Sequence, residues 1–148
     1  MRIIPSAKIR AYLAGFLDGD GSIYVQLKPN SSYRYGYQVA PYIVFFQSSK
    51  ERKIFKKLCS LIGYGYIRER NDGILEYIIG KNLDIKEFLS WIRPFLILKK
   101  RQADLMLKIL NVKESIKSEK DFRVLMKLID NFRELNYSKR RKVRTLTP

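Results

Sequence analysis

The chain has no histidine and only one cysteine among its 148 residues. Histidine and cysteine supply most zinc ligands and activate most serine and cysteine nucleophiles. Their scarcity excludes a His/Cys zinc site, a Ser-His or Cys-His nucleophile, and nuclease chemistry based on imidazole. The single cysteine, Cys59, also excludes an intrachain disulfide and is typical of a reducing compartment. Any catalysis must therefore use carboxylates, lysine, arginine, glutamine, hydroxyls, the backbone or hard cations.

Long apolar runs are missing as well. No stretch approaches the roughly 18 uninterrupted apolar residues of a membrane-spanning helix, and the start, MRIIPSAKIR, lacks the apolar segment of a signal peptide. We therefore expect a soluble, intracellular protein, in the cytoplasm or in an organelle of a eukaryote. The 46% hydrophobic content supports an ordinary core and argues against disorder. We expect residues 1–148 to form one domain, with a basic tail over about 136–148.

Acidic residues are scarce relative to basic ones. The chain has 30 Lys and Arg against 14 Asp and Glu, which gives a formal charge of +16. A membrane-binding protein usually concentrates such charge on one amphipathic helix, whereas here it is spread along the chain. It is interleaved with ten tyrosines and with Asn, Gln and Ser, a mixture used for phosphate and base-edge contacts. This favours a nucleic acid as partner, and a generally basic soluble protein without a specific partner is the alternative.

The spacing of apolar residues predicts an α+β fold in the order αββαββα, followed by further helices. The apolar period is helical in some segments and changes to two in others, which distinguishes helices from strands. Five helices are predicted. The first begins after Pro5-Ser6, the second follows a capping-box sequence, Ser48-Ser49-Lys50-Glu51, and the third ends at Pro94. The fourth begins at Lys99, and the last covers 118–135. The predicted strands cover 22–28, 33–47, 64–70 and 74–80.

Two such hairpins form a four-stranded antiparallel sheet whose apolar face packs on the helices. Its other face carries polar and basic side chains at strand spacing, which on a chain of charge +16 favours a surface that contacts the DNA major groove. The candidate DNA contacts on this face and in the adjoining turns are Tyr24, Gln26, Lys28, Asn30, Ser32, Tyr33, Gln38, Arg68, Arg70 and Glu76. A basic cluster beyond the last apolar stripe, Lys139, Arg140, Arg141 and Lys142, is expected to contact phosphates.

Residues 13–21 read Leu-Ala-Gly-Phe-Leu-Asp-Gly-Asp-Gly and contain two features that are unusual for a surface helix. Small residues recur through the predicted helix, at Ala7, Ala11, Ala14 or Gly15, and Gly19. A glycine inside a helix costs about 1 kcal/mol relative to alanine. Small residues allow another helix to come close, which is a reason to keep them.

The second feature is a pair of aspartates, Asp18 and Asp20, at the end of the helix. The carbonyl end of a helix is already negative, so two carboxylates are disfavoured there unless a cation joins them. The sequence that follows does not continue as a calcium-binding EF-hand loop. Oxygen ligands of this kind suit Mg²⁺. Solvent-exposed aspartates at a helix end are the alternative interpretation.

This nonapeptide resembles the signature of the LAGLIDADG homing endonucleases. The resemblance covers about residues 9–142, through the order of elements and the basic tail. Further matching segments are Tyr12 to Phe16, Asp18 to Ser22, Pro94-Phe95-Leu96 and Lys99 with Gln102-Ala103. The signature occurs once, as in the short branch of the family. In that branch one copy implies a homodimer, because two signature helices must pack together.

The resemblance also implies roles for individual residues. Asp20 is expected to be the principal metal ligand and the Gly19 carbonyl a secondary one. Gln47 and Lys99 are expected to position water and contact the scissile phosphate, and Asp18 to be a supporting catalytic residue. The implied dimer interface consists of Ala11, Leu13, Ala14, Gly15, Leu17 and Asp18. The chain departs from the family at Glu51, where a basic residue is expected and Arg52 or Lys53 could substitute.

The resemblance implies an endonuclease that cleaves both DNA strands at one site with Mg²⁺ and leaves short 3′ overhangs. Mn²⁺ is expected to substitute, and Ca²⁺ to support binding without cleavage. A strand of about ten residues spans roughly 33 Å, close to ten base pairs, so a dimer covers a pseudo-palindrome of about 20 base pairs. The alternative is a non-catalytic binder of the same fold, such as an intron-RNA maturase or a DNA-binding regulator. RNA is therefore a second candidate partner, and a membrane is not expected.

Overall fold

The structure is a computed structural model, and it describes residues 3–136. Four antiparallel strands form one sheet, and helices cover one of its faces. The helices are α1 (Ala7–Asp20), α2 (Arg52–Ile62), α3 (Asn82–Ile92), α4 (Lys100–Glu114) and α5 (Glu119–Leu135). The strands are β1 (Gly21–Pro29), β2 (Tyr37–Ser48), β3 (Tyr66–Glu69) and β4 (Ile74–Ile79). The predicted α+β class and the order αββαββα with additional C-terminal helices are confirmed.

The sheet has the strand order β1-β2-β4-β3, so the two hairpins meet through β2 and β4. Residues paired directly across an antiparallel ladder point to the same face. The pairs Ile23 with Ile43, and Ile43 with Ile79, therefore define the face that packs on the helices. The opposite face, which we call the outer face, contains the pairs Lys28 with Gln38 and Arg68 with Glu76.

The core between sheet and helices is aliphatic and aromatic. Phe45 of β2 lies at its centre, where its ring contacts Phe16 at 5.3 Å and Phe88 at 5.8 Å between centroids. Leu13 and Leu17 of α1 are fully buried in the same cluster. Among residues 3–136 no polar or charged residue is buried. The fold is therefore stabilised mainly by apolar burial, and its charges are left at the surface.

Two helices begin at serine caps. Ser6 caps α1 through a bond from Ile9 N, and Ser118 caps α5 through a bond from Asp121 N. The predicted capping box at 48–51 does not form. Ser48 accepts from the N–H of Lys50 at 3.3 Å, which makes a short 3₁₀ turn, and α2 starts only at Arg52.

Two predicted strands were too long. The second strand begins at Tyr37 rather than at 33, because residues 30–36 close a turn in which Asn30 N donates to Gly36 O at 2.8 Å. The third strand begins at Tyr66 rather than at 64, because the N–H groups of Tyr64 and Gly65 donate to the Tyr77 hydroxyl. The first boundary is therefore set by the turn, and the second by a side-chain hydroxyl from another strand.

Within residues 3–136, no helix combines the length and the apolar character that crossing a membrane requires.

The buried Tyr77 hydroxyl generates a test of the fold. It accepts two backbone N–H groups, from Tyr64 at 3.1 Å and Gly65 at 2.7 Å. Tyr77→Phe leaves both donors without this acceptor and should lower the free energy of unfolding by about 1–3 kcal/mol. Urea unfolding measures this as a lower midpoint with an unchanged slope. Tyr37→Phe, at an exposed position, is the control and should stay within about 0.5 kcal/mol of the wild type. Equal effects of the two substitutions would contradict the assignment.

Candidate functional site

Asp20 is the last residue of α1, its side chain is exposed, and Gly21 continues directly into β1. A Cβ atom at Gly21 would lie 2.3 Å from Leu17 Cδ1 and 2.9 Å from Leu17 Cα. The helix can therefore pass straight into the strand only with glycine at this position. The last carbonyls of a helix, here including that of Gly19, lack helical N–H partners. The junction thus presents a carboxylate and a backbone carbonyl close together.

Gln47 lies near this junction because of the strand register. Gly21 pairs with Phe45, so Asp20 just before β1 and Gln47 two residues beyond Phe45 lie at the same end of the ladder. Gln47 is half-buried, and its Oε1 accepts from Ser48 N at 2.8 Å. Its side chain lies on the helix side of the sheet, in the row that continues through Leu75.

Lys99 reaches the same end of α1 from another part of the chain. It is the residue before α4, and its Nζ donates to the carbonyl oxygen of Asp18 at 2.8 Å. The structure therefore brings Asp20, Gln47 and Lys99 to one end of α1, although the first and the last are 79 positions apart in the sequence. Their catalytic roles stay predictions.

Asp18 is placed differently from the expectation. Its Oδ2 accepts from the N–H groups of Ile97 at 2.8 Å and Leu98 at 3.2 Å, and its Oδ1 accepts from that of Lys99 at 2.9 Å. Both carboxylate oxygens are thus directed at the loop before α4. Asp18 was expected to support catalysis and to lie at a dimer interface, but its carboxylate binds the backbone of its own chain.

The predicted interface residues separate into two faces of α1. Leu13, Ala14 and Leu17 have no exposed surface, because they pack in the core of their own chain. Their assignment to the surface that contacts a partner is wrong, since apolar residues of an amphipathic helix face the core. Ala11 and Gly15 are exposed, and a Cβ at Gly15 would have nothing within 4 Å. The exposed small residues follow a spacing of four: Ala7, Ala11, Gly15 and Gly19.

The donor set at the end of α1 suits a hard cation but does not enclose one. Within residues 3–136 no cluster of three or more His, Cys, Asp or Glu could hold a metal ion. Mg²⁺ is commonly bound by one or two carboxylates together with waters and substrate phosphates. The exposed Asp20 carboxylate and the Gly19 carbonyl fit such an ion only if other ligands come from outside the chain.

Glu51 stands where a basic residue was expected, and Arg52 or Lys53 could substitute for that residue. Arg52 already forms an ion pair. Its Nη2 lies 2.7 Å from Oε2 of Glu69. Lys53 is exposed on α2. The geometry does not select either of them as a catalytic group.

The outer face of the sheet carries the candidate DNA contacts as predicted from their alternation. Direct pairing places Lys28 with Gln38 and Arg68 with Glu76, and Tyr24 and Gln26 lie on the same face of β1. Lys28 Nζ donates to the Tyr42 hydroxyl at 3.0 Å, and this bond raises the pKa of Lys28. The shift reinforces the positive charge that a lysine already has at neutral pH.

The centre of the outer face is apolar, which was not predicted from the sequence. Val44 and Ile78 are 1% and 5% exposed although they lie on this face. On the same face lie Tyr24 of β1, Tyr42 of β2 and Tyr66 of β3, and the rings of Tyr24 and Tyr42 lie 5.2 Å apart. Burial, and then the nearby Glu76, raises the pKa of Tyr24. Pairing Tyr24 with Tyr42 in a hairpin register would have indicated this cluster.

Arg70 lies just beyond β3 and forms two ion pairs. Its Nη2 lies 2.6 Å from Oδ2 of Asp72, and its Nε lies 3.7 Å from Oε1 of Glu76. The Arg70 side chain is nonetheless 42% exposed, and pairs of this kind contribute little free energy. Arg70 can therefore exchange a carboxylate for another acceptor at small cost in free energy.

The turn between β1 and β2 is ordered by its own side chains. Asn30 Oδ1 accepts from the Ser32 N–H at 3.0 Å and from the Ser32 hydroxyl at 2.6 Å. Tyr35 stacks on Phe122 of α5, with ring centroids 4.8 Å apart. Tyr33 is exposed. The four basic residues Lys139, Arg140, Arg141 and Lys142 lie outside the described residues.

Known proteins are similar to this chain in sequence. A family model described as LAGLIDADG endonuclease matches residues 13–108. The chain is 40% identical over 137 residues to the DNA endonuclease I-CreI of Chlamydomonas reinhardtii, covering 92% of this chain and 83% of that protein. It is 35% identical over 116 residues to the DNA endonuclease I-CvuI of Chlorella vulgaris, covering 78% and 70% of the two chains.

A solved structure agrees with the sequence relatives. The homing endonuclease I-CvuI, in complex with its target in the presence of calcium, superposes with a TM-score of 0.86 at 30% identity. The match covers 94% of this chain and 88% of that chain.

Proposed function

This chain belongs to the LAGLIDADG endonuclease family, and we propose that it is a site-specific endonuclease that cleaves both strands of DNA. The observation that supports this most directly is the meeting of Asp20, Gln47 and Lys99 at one end of α1, beside the strand ladder. A carboxylate, an amide and an ammonium in one place can serve a metal ion, a water molecule and a phosphate. The I-CreI and I-CvuI relatives are DNA endonucleases by name.

The outer face and its turns are the proposed DNA-binding surface. The long strand β2 has 12 residues, which span about 40 Å or roughly 12 base pairs. Two copies related by a two-fold axis would cover about 20–24 base pairs, in a pseudo-palindromic target. A duplex of that length has on the order of 40 phosphates, against 32 net positive charges on two chains of +16 each.

Asp20 and the carbonyl of Gly19 are the proposed ligands of Mg²⁺, with Mn²⁺ as a substitute and Ca²⁺ supporting binding alone. When bound, such an ion makes a water molecule more acidic and stabilises negative charge on the phosphate oxygens. Lys99 places an ammonium where the phosphate gains charge. Gln47 is proposed to orient the attacking water through its amide group.

A homodimer completes the site. The exposed row of Ala7, Ala11, Gly15 and Gly19 leaves space for a second α1 helix, and it ends at Asp20. Packing along this row would bring two Asp20 carboxylates together, where they could share metal ions that one chain cannot enclose. The site is therefore proposed to form only between two copies.

The core supports one domain, because a single apolar cluster includes residues from Leu13 to Phe132. We place the protein inside the cell, in the cytoplasm or an organelle that holds its target DNA. The lone Cys59 is buried, and burial raises the pKa of its thiol to about 12, so it is not a reactive nucleophile.

The first test isolates a target and removes the proposed metal ligand. We expect the wild type with Mg²⁺ to cleave a subset of duplexes in a randomised plasmid library. On a recovered site, Asp20→Asn should lower the single-turnover rate by more than about 10²-fold, since even residues that only orient metal ligands contribute 10–100-fold. Binding in Ca²⁺ should persist, because the amide keeps the shape of the carboxylate.

The matched control for this test is Asp84→Asn, at an aspartate in the first turn of α3. It should cleave at the wild-type rate. Rapid cleavage by Asp20→Asn would remove Asp20 from the metal site, and specific binding without any wild-type cleavage would indicate a non-catalytic binder.

A second prediction concerns base recognition. An arginine that forms two hydrogen bonds with guanine contributes about 1–3 kcal/mol of discrimination, so Arg70→Ala should relax preference at one or two base pairs per half-site. Arg52→Ala is the control, because Arg52 is equally exposed and also ion-paired, but with Glu69 on the helix side of the sheet. Binding titrations against single-base variants of the target decide the matter. Uniform weakening across all variants would instead assign Arg70 to phosphate contact.

The dimer provides a third prediction. Gly15→Leu should fold but separate the helices, so that light scattering gives the mass of one chain, 17.5 kDa, where the wild type gives twice that value. Cleavage should be lost with the dimer. Ser90→Leu adds the same side chain at an exposed position of α3 and should remain dimeric. A monomeric wild type, both with and without DNA, would disprove the interface.

A further inference from the structure

The loop between Leu96 and α4 is held by one carboxylate. Asp18 accepts the backbone N–H groups of three consecutive residues, Ile97, Leu98 and Lys99, at 2.8, 3.2 and 2.9 Å. The side chains of Ile97 and Leu98 are 82% and 73% exposed. Side-chain packing therefore does not fix this part of the backbone, and the bonds to Asp18 do.

Asp18 also binds the side chain of Lys99. The main-chain carbonyl of Asp18 accepts the Lys99 ammonium at 2.8 Å, while the Asp18 carboxylate accepts the Lys99 N–H. A lysine side chain has a flexible four-carbon stem and loses much conformational freedom when it is fixed. Two anchors on one residue keep the Lys99 ammonium at the carbonyl end of α1, two residues before Asp20.

The electrostatics of the two helices favour this contact. A carboxylate at the negative end of α1 is unfavourable by itself. The Asp18 carboxylate, however, points to the loop that enters α4, where the positive end of the helix favours a negative group. The N-cap residue Lys99 makes no side-chain cap bond. Its own N–H is bound by Asp18, which lies 81 residues away in the sequence and just before the first turn of α4 in space.

We infer that Asp18 is a positioning residue that fixes Lys99 relative to Asp20, rather than a metal ligand or an interface residue. This inference rests on the proposed function, because it assigns Lys99 to the reaction. In the proposed reaction, the Lys99 ammonium and the Asp20 carboxylate act on one phosphate but come from different segments, the loop before α4 and the end of α1. Asp18 links these two segments directly. Displacement of a catalytic group by about 1 Å can lower a rate about 10²-fold.

The link itself is tested without DNA. Asn has one carbonyl oxygen, so Asp18→Asn cannot accept all three N–H groups with the wild-type geometry. Amide hydrogen exchange, followed by NMR, should become about tenfold faster at one or more of Ile97, Leu98 and Lys99. Unchanged exchange at all three amides would overturn the inference, whatever the enzyme does.

The positioning role is tested by single-turnover cleavage of a site recovered with Mg²⁺. Asp18→Asn should lower the cleavage rate by about 10–10²-fold and leave the affinity for that site in Ca²⁺ unchanged. In a Lys99→Ala background the same substitution should have no further effect, because the two residues act through one step. A purely structural role would lower the rate again in the double variant.

Asp121→Asn is the matched control, because Asp121 also accepts a backbone N–H, from Lys117 at 3.0 Å, at the start of α5. It should leave the cleavage rate unchanged. An Asp18→Asn enzyme that cleaves at the wild-type rate, or additive losses in the double variant, would overturn the positioning role. A wild type that cleaves no duplex would instead overturn the proposed function, and the exchange measurement distinguishes that failure from a failure of the link.

Discussion

The direct passage from α1 into β1 is the constraint on which the site depends. Asp20 ends the helix and Gly21 begins the strand, with no connecting residue between them. Gly21 must lack a Cβ because Leu17 lies against it, and Leu17 is itself fully buried. The core therefore fixes the orientation of the helix, and the helix fixes Asp20 at the start of the β1–β2 ladder. If flexible linker residues lay between α1 and β1, the Asp20 carboxylate would no longer have a fixed position relative to the core and the β1–β2 ladder.

Much of the fold follows from local sequence. The change from helical spacing in α1 to alternation in β1 occurs at the glycines, and Pro94 lies just beyond the end of α3 as expected. The predicted starts of β2 and β3 were wrong, because a hydrogen-bonded turn and a side-chain bond between residues distant in sequence make the two strands begin later. The start of β3 is defined by the hydroxyl of Tyr77, 12 residues from Gly65, and no pattern near residue 64 indicates that bond.

The sequence proposed the residues of the site but could not indicate how they are connected. Resemblance to a family selected Asp20, Gln47 and Lys99, and the structure brings them to one end of α1. Neither resemblance nor periodicity shows that the Asp18 carboxylate turns toward Lys99, since the two residues are 81 positions apart. Periodicity also cannot tell which side of a helix faces its own core when both sides contain small or apolar residues. The assignment of Leu13, Ala14 and Leu17 to the dimer interface came from the resemblance, and their complete burial within their own chain contradicts it.

The distribution of charge connects the fold to DNA binding. In the part of the chain that the structure describes, no charged side chain is buried, so the apolar core stabilises the fold without using the basic excess. Ion pairs such as Arg70 with Asp72 lie at the surface, where a phosphate or a base edge can replace a carboxylate at small cost. Val44 and Ile78 are buried at the centre of the same face, so the polar groups around them stand on a packed sheet. The strand register sets the positions of these groups, and their exposed ion pairs can be exchanged for contacts with a partner.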